Sequence, residues 1–256
     1  MTNRFIYLCL ALLAMLKTTT YAQQALPSAS EAFAQGDYAE VARYYQGQIA
    51  ESNTPTSDML YNLGVCYTQM EHLPEAILAY ERALYLEPTH QLARHNLGLL
   101  YKQIKGGMGD GRGLMTRWAD RLCYQFTIQT WATIALATFA LMLLALGSFL
   151  ISRVLTRKKI FFYSSSLLGL LCLVANACIL RQWYYHKMSQ SQAIVQQGQQ
   201  LMSTPEAEAV AIAELHEGTP IGILTTKETA SEVRLPDGRI GWIANTSFTR
   251  ILPIKQ

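Results

Sequence analysis

The sequence predicts a multi-domain membrane protein. An all-α array of helix-turn-helix repeats comes first, then a two-helix transmembrane hairpin, then a small all-β barrel. Three observations predict this order. The heptapeptide "YNLGVCY" at 61–67 returns as "HNLGLLY" at 95–101, so Asn62, Leu63, Gly64 and Tyr67 recur 34 residues on as Asn96, Leu97, Gly98 and Tyr101. Two uncharged apolar runs follow, Leu122–Ser152 and Ile160–Leu180, each longer than the roughly 20 residues a helix needs to cross a bilayer. The final stretch has short apolar segments separated by turn signals.

Half of the 256 residues are apolar, and charge is distributed by region. Residues 23–105 hold nine acids and five bases, residues 106–187 two acids and nine bases, and residues 188–256 seven acids and five bases. The basic excess therefore lies beside the apolar runs, where it orients spans and meets anionic head groups. It forms no aromatic-interleaved basic patch, so nucleic acid is not an expected partner.

Residues 1–22 read as a secretory signal: Arg4, a short apolar run from Phe5 to Leu16, and small residues before a cut after Ala22. An uncleaved anchor is the competing reading. The five cysteines follow no paired framework. Cys9 leaves with the signal, Cys172 and Cys178 fall in the second span, and Cys123 lies near the membrane surface. Cys66, inside the repeated motif, reads as a small buried helix residue.

A 34-residue period marks a helix-turn-helix array. The best unit, Ser57–His90, places Leu63, Gly64, Tyr67, Ala76, Tyr80, Ala83 and Pro88 at signature positions. Gly64 and Ala76 let two helices approach, Tyr67 and Tyr80 fill the space between them, and Pro88 stops the second helix. These residues resemble the tetratricopeptide repeat family. A weaker unit, Glu31–Ser52, turns at Gly36-Asp37-Tyr38, and a third starts at Gln91 with only its first helix. The array is assigned to 27–105. Its last helix shows Leu97, Leu100, Tyr101 and Ile104 along one side, a face that the next stretch, a partner or the membrane must cover. The resemblance implies a partner-binding groove, with Tyr61, Asn62, Val65, His95, Asn96 and Leu99 as candidate groove residues. Asn62 and Asn96 resemble the groove asparagines of the family. The acidic balance of this region favours a neutral or basic partner segment.

Residues 106–126 comprise a glycine-rich run, "GGMGDGRG" at 106–113, and "LMTRWADRLCYQF". The run lacks the lysine and hydroxyl of a phosphate loop and reads as a linker. Leu114, Trp118 and Leu122 are spaced for an interfacial helix, or for the first turns of the span. The spans are assigned to 127–151 and 160–180, with the loop 152–159 between them. Arg153, Arg157, Lys158 and Lys159 predict a cytoplasmic loop and put both flanking domains outside. Trp183, Tyr184 and Tyr185, in the linker 181–192, fit an outer interfacial belt. No span carries an acidic or basic residue or a histidine, so a pump is not expected.

Residues 193–256 predict strands around Val210–Leu215 and Pro220–Leu224, and a hairpin joining "EVRL" to "RIGWI" through Asp237-Gly238. "HEGT" at 216–219 and "LPDGRIGWI" at 235–243 resemble the bacterial SH3 family. Ala230, Ser231 and Glu232 stand where that family often places a tryptophan. Trp242 and Phe248 are the module's only aromatics and its candidate surface residues.

His72, His90, His95, His186 and His216 are scattered. No catalytic, metal or cofactor constellation is expected. Glu81 and Glu87 read as solvated helix residues. The order of modules resembles the BatE-like family of Bacteroides aerotolerance (Bat) operon proteins. That resemblance implies an inner-membrane scaffold with both soluble domains periplasmic. It also implies von Willebrand factor A-type Bat partners, indirect action of a MoxR-type ATPase, and a role in oxidative-stress tolerance or envelope maintenance. The alternative is a sensor whose SH3-like domain binds peptidoglycan.

Overall fold

The computed structural model of the chain describes residues 27–52, 54–104, 114–206 and 209–253. The predicted signal peptide and the glycine-rich run lie outside the described residues. Among the described residues, five helices form the array: α1 Pro27–Gln35, α2 Tyr38–Glu51, α3 Ser57–Gln69, α4 Leu73–Leu86 and α5 Gln91–Gln103. Their starts are written locally. Gly36 turns the chain at φ +80°, and the Asp37 carboxylate accepts from the Glu40 N–H at 3.0 Å. Thr56 Oγ1 accepts from the Met59 N–H at 3.3 Å, and Pro74 lies in the first turn of α4. His90 Nδ1 accepts from the Ala93 N–H at 3.2 Å, leaving Nε2 to face Asp58 at 3.3 Å. Each contact satisfies a donor that a helix start leaves open.

Gly64 and Gly98 occupy equivalent places one period apart, yet they differ physically. A Cβ at Gly64 would lie 2.7 Å from the Tyr80 ring, whereas a Cβ at Gly98 would meet nothing within 4 Å. The reason is the truncated third unit. Gly64 faces α4, the second helix of its own unit, and among the described residues α5 has no such successor in the array.

Helix α4 is the centre of the molecule. Ala76, Ile77, Ala79, Tyr80, Ala83 and Leu84 are all buried, as expected of a helix that is apolar nearly all round. Glu81 is buried as well, at 8% exposure. Its carboxylate accepts from the Tyr101 hydroxyl of α5 at 2.6 Å and from the Tyr185 hydroxyl at 2.9 Å. The expectation of a solvated Glu81 is therefore corrected. Tyr185 comes from a helix 104 residues away in the chain, a contact that local pattern does not contain.

After the array come α6 Leu114–Cys123, α7 Ile128–Ile151 and α8 Leu155–Ser189. Thr127 Oγ1 accepts from the Thr130 N–H at 3.3 Å and starts α7. Both α7 and α8 are long and apolar enough to cross a membrane. Only 6% and 11% of their most apolar stretches are buried by the protein itself, the opposite of a soluble core helix. The break between them is only Ser152–Val154, so Arg157, Lys158 and Lys159 belong to the first turns of α8. At its other end α8 passes the apolar run 160–180 by nine residues, or about 13 Å at the α-helical rise. Residues 181–189, expected as linker, are therefore helix. This overshoot carries Tyr185 to Glu81 and stacks His186 on Tyr85, with ring centroids 4.4 Å apart.

The C-terminal region is one antiparallel sheet of seven strands: β1 Gln192–Val195, β2 Gln199–Met202, β3 Ala211–Leu215, β4 Pro220–Thr226, β5 Ala230–Arg234, β6 Ile240–Ala244 and β7 Phe248–Arg250. Their spatial order is β3-β2-β6-β5-β4-β1-β7. Gly238, at φ +91°, turns β5 into β6, with Arg234 paired to Ile240. Val195, Leu201, Leu215, Val233 and Ile243 form the core of this region. Of the alternating set Val210, Ile212 and Leu215, only Leu215 is buried.

The sheet docks on the array. Ile194 and Ile251 belong to the same buried cluster as Ile77, Leu84 and Ile104. Gly218, in the "HEGT" turn at φ +79°, sits so close that a Cβ would lie 2.8 Å from Ile77 Cδ1. Arg82 donates to the carbonyls of Ile251 at 2.9 Å, Arg250 at 3.1 Å and Pro253 at 3.4 Å. Burial lowers the Arg82 pKa, and the carbonyls replace the water that the guanidinium gives up. The exposed end of the array is thus covered by the chain's own sheet and helix.

Two outcomes follow for the full-length protein in detergent. Gly64→Ala is expected to cost about 1–3 kcal/mol by forcing the Tyr80 ring aside, while Gly98→Ala is expected to be neutral or to stabilise by up to about 1 kcal/mol. Chemical denaturation of the two variants checks the contrast. Tyr185→Phe is expected to cost about 1.5–3 kcal/mol, as for a hydrogen bond to a charged group. In a Glu81→Gln background that loss should shrink, and a double-mutant cycle measures the coupling.

Candidate functional site

A groove of about 370 Å³ opens among α1, α2 and α3, lined by residues that include Phe33, Tyr45, Tyr61, Asn62, Val65 and Cys66. Among the described residues, none of its lining comes from α8 or the sheet. Phe33 is 44% exposed and meets the Tyr38 ring edge-on at 5.3 Å. Tyr61 lies against Tyr80 at 5.8 Å and His90 at 4.8 Å between ring centroids, which holds its ring in place. Cys66 is fully buried beneath, and burial pushes its thiol up to about 11. At neutral pH it is therefore an uncharged part of the core.

Asn62 donates through Nδ2 to the Tyr45 hydroxyl at 3.0 Å. Asn96 makes the same bond one period later, donating to the Tyr80 hydroxyl at 3.2 Å. Each asparagine therefore ties the first helix of its unit to the second helix of the preceding unit. Burial raises the pKa of both phenols against the opposing effect of the amide bonds, so both remain neutral hydroxyls. Tyr80 also meets Thr68 Oγ1 at 3.2 Å, which places Asn96 in a polar chain inside the array.

Of the six candidate groove residues, the structure gathers Tyr61, Asn62 and Val65 in one cavity. His95 and Leu99 are exposed on α5, and Asn96 is half-buried there; none of the three lines the cavity. Phe33 and Tyr45 line it although neither is among the groove candidates read from the sequence. For Tyr45 a signal was available: it and Tyr80 stand 35 residues apart, nearly the period that separates Asn62 from Asn96.

A second cleft, of about 360 Å³, lies where α2, α3 and α4 meet, with Gln46, Ile49, Leu60, Tyr67, Leu78 and Arg82 among its lining. Gln46 Nε2 donates to the Tyr67 hydroxyl there at 2.6 Å.

In the sheet, Trp242 is half-buried on β6 and Lys227 Nζ sits 4.6 Å from its ring centroid. Phe248 starts β7 and packs half-buried against the core. Strands β5, β4 and β1 separate the two in sheet order.

The tetratricopeptide repeat family model matches residues 57–90, the stretch that runs from α3 through α4 to His90. No curated protein and no solved structure matches the chain. Gly64 pressed to the Tyr80 ring and the buried Ala76, Tyr80 and Ala83 are the contacts that hold this pair of helices together. Residues 57–90 are a tetratricopeptide repeat, a unit that points to protein–protein interaction.

Proposed function

We propose that this chain is a membrane-anchored scaffold, not an enzyme, whose groove between α1 and α3 takes a short segment of a partner protein. The observation that carries the reading is the division of surfaces. The chain's own helix and sheet cover the α4 side of the array, and among the described residues neither lines the aromatic groove. Phe33 and Tyr61 offer flat apolar contact at low entropic cost. Asn62, steadied by Tyr45, offers its amide oxygen to a backbone N–H of the bound segment. The acidic balance of 23–105 favours a neutral or basic segment.

In this reading α7 and α8 cross the inner membrane. Arg153, Arg157, Lys158 and Lys159 hold their junction on the cytoplasmic side, and the array and sheet both lie in the periplasm. The resemblance of module order to BatE-like proteins supports a place among Bat-type complexes. The partners would be von Willebrand factor A-type proteins, with a MoxR-type ATPase acting indirectly and a role in stress tolerance or envelope maintenance. Peptidoglycan binding by the sheet has less support, because Trp242 lies under Lys227 and stands apart from Phe248 in sheet order.

Replacing Tyr61 and Asn62 by alanine is expected to release co-purifying partners by at least about tenfold, as when contacts worth over 1.4 kcal/mol are lost. The His95→Ala variant should retain them. Partners retained by the Tyr61/Asn62 variant at wild-type levels would sink the groove assignment. Alkaline phosphatase fused after residue 256 is expected to be active, and a cytosolic reporter at the same place inactive; the reverse result would sink the orientation.

A further inference from the structure

Cys123 ends α6 and Cys178 lies in α8, 55 residues further along the chain, yet their sulfur atoms stand 2.7 Å apart. Both residues are buried, at 5% and 1% exposure. One turn beyond Cys178, α8 is tied to α6, and the end of α6 is also tied to α7. Arg181 pairs with Asp120 at 2.7 Å. The Cys123 carbonyl accepts from Gln182 Nε2 at 2.5 Å and from Trp131 Nε1 at 2.9 Å. A shift of under about 1 Å brings the sulfurs to the ~2.05 Å of a covalent bond. Among the described residues no group of three or more His, Cys, Asp or Glu gathers as metal ligands, so the sulfurs are not part of a larger ligand set there. The spacing of the cysteines in the sequence promised no framework, and the tertiary structure supplies a pair.

We infer that Cys123 and Cys178 form an intramolecular disulfide that staples α6 to α8. The oxidant is a disulfide, from a thiol–disulfide oxidoreductase or oxidised glutathione. One cysteine attacks it as the thiolate, forming a mixed disulfide and releasing half of the oxidant as a thiol. The second thiolate attacks the mixed disulfide, the Cys123–Cys178 bond forms, and the other half leaves. The pair loses two protons and two electrons, and the oxidant gains them as two thiols. Because the thiols are buried, exchange proceeds when α6 lifts from α8.

The staple closes a mechanical ring. Beside Cys123, the Tyr124 carbonyl accepts from Gln91 Nε2 of α5 at 3.1 Å, and the Tyr124 ring lies 3.9 Å under the Arg94 guanidinium. Two turns beyond Cys178, Tyr185 reaches Glu81. Bonding the sulfurs joins these two attachments of the array covalently, so the array and the apolar hairpin move as one body when oxidised.

The full-length protein in detergent is equilibrated with oxidised and reduced glutathione at a series of ratios until the products stop changing. It is then alkylated with N-ethylmaleimide in denaturant and digested without reduction. The expected result is a peptide joining Cys123 to Cys178 as the main disulfide species, with Cys66 and Cys172 alkylated. The Cys178→Ser variant should lose that peptide and show Cys123 alkylated or carrying glutathione. A wild-type protein in which both residues are alkylated or glutathionylated at the most oxidising ratio overturns the inference, as does a main link from either one to Cys172. A defined redox buffer makes the result independent of which side of a membrane the pair faces.

Discussion

A buried carboxylate holds this molecule together. Glu81 lies in the most enclosed helix of the array and accepts hydroxyls from Tyr101 and Tyr185. An ionised carboxylate in such a place is tolerable only when donors replace the lost water. Those donors come from two helices far apart in the chain. Satisfying this carboxylate therefore fixes where Tyr185 of α8 lies relative to α4 and α5. The next residue, Arg82, points elsewhere on the same helix, since successive residues are turned by about 100°. It gathers the carbonyls at the end of the sheet. Two adjacent residues of opposite charge thus fasten a helix on one side of α4 and a sheet on the other.

The arrangement also answers a problem that a short solenoid creates. Repeat units bury their faces on neighbours, and a terminal unit needs a cap. Among the described residues the third unit has only α5, and Gly98, the counterpart of Gly64, has no ring pressed on it. The cap is assembled from elements outside the array. The sheet contributes Ile194, Ile251 and the tight Gly218 turn, and the overshoot of α8 contributes Tyr185 and His186. With one side used for its own chain, the array has its α1–α3 groove on a face that neither α8 nor the sheet lines among the described residues.

How much of that groove was legible in the sequence depended on what each residue does. The repeated "NLG" and Tyr67 marked the helix pair, because helix packing at a fixed period demands small and aromatic residues at fixed places. Tyr61, Asn62 and Val65 followed from the same register. Asn96 was legible as the equivalent of Asn62, but its bond to Tyr80 draws it into the packing of the array. Tyr45 was missed as a groove residue because the first unit slips register by one, placing it 35 and not 34 residues before Tyr80, and Phe33 lies on α1, outside the repeated motif. Glu81 was misread because its helix face looks solvated until a helix from the far end of the chain is laid on it.

The sequence by itself determined what short-range chemistry dictates: the helix pair at 57–90, two runs too apolar and too long for an ordinary core, and the turn at Asp237-Gly238. Each rests on spacing within a few dozen residues, which sets backbone geometry and burial without reference to the rest of the chain. Only the tertiary structure decided what meets across long separations. It put Tyr185 on Glu81, the last carbonyls on Arg82, Gly218 on Ile77 and Cys123 beside Cys178. These contacts arise when α8 runs on past its apolar stretch and the sheet folds back, and no local pattern records where two distant surfaces will touch.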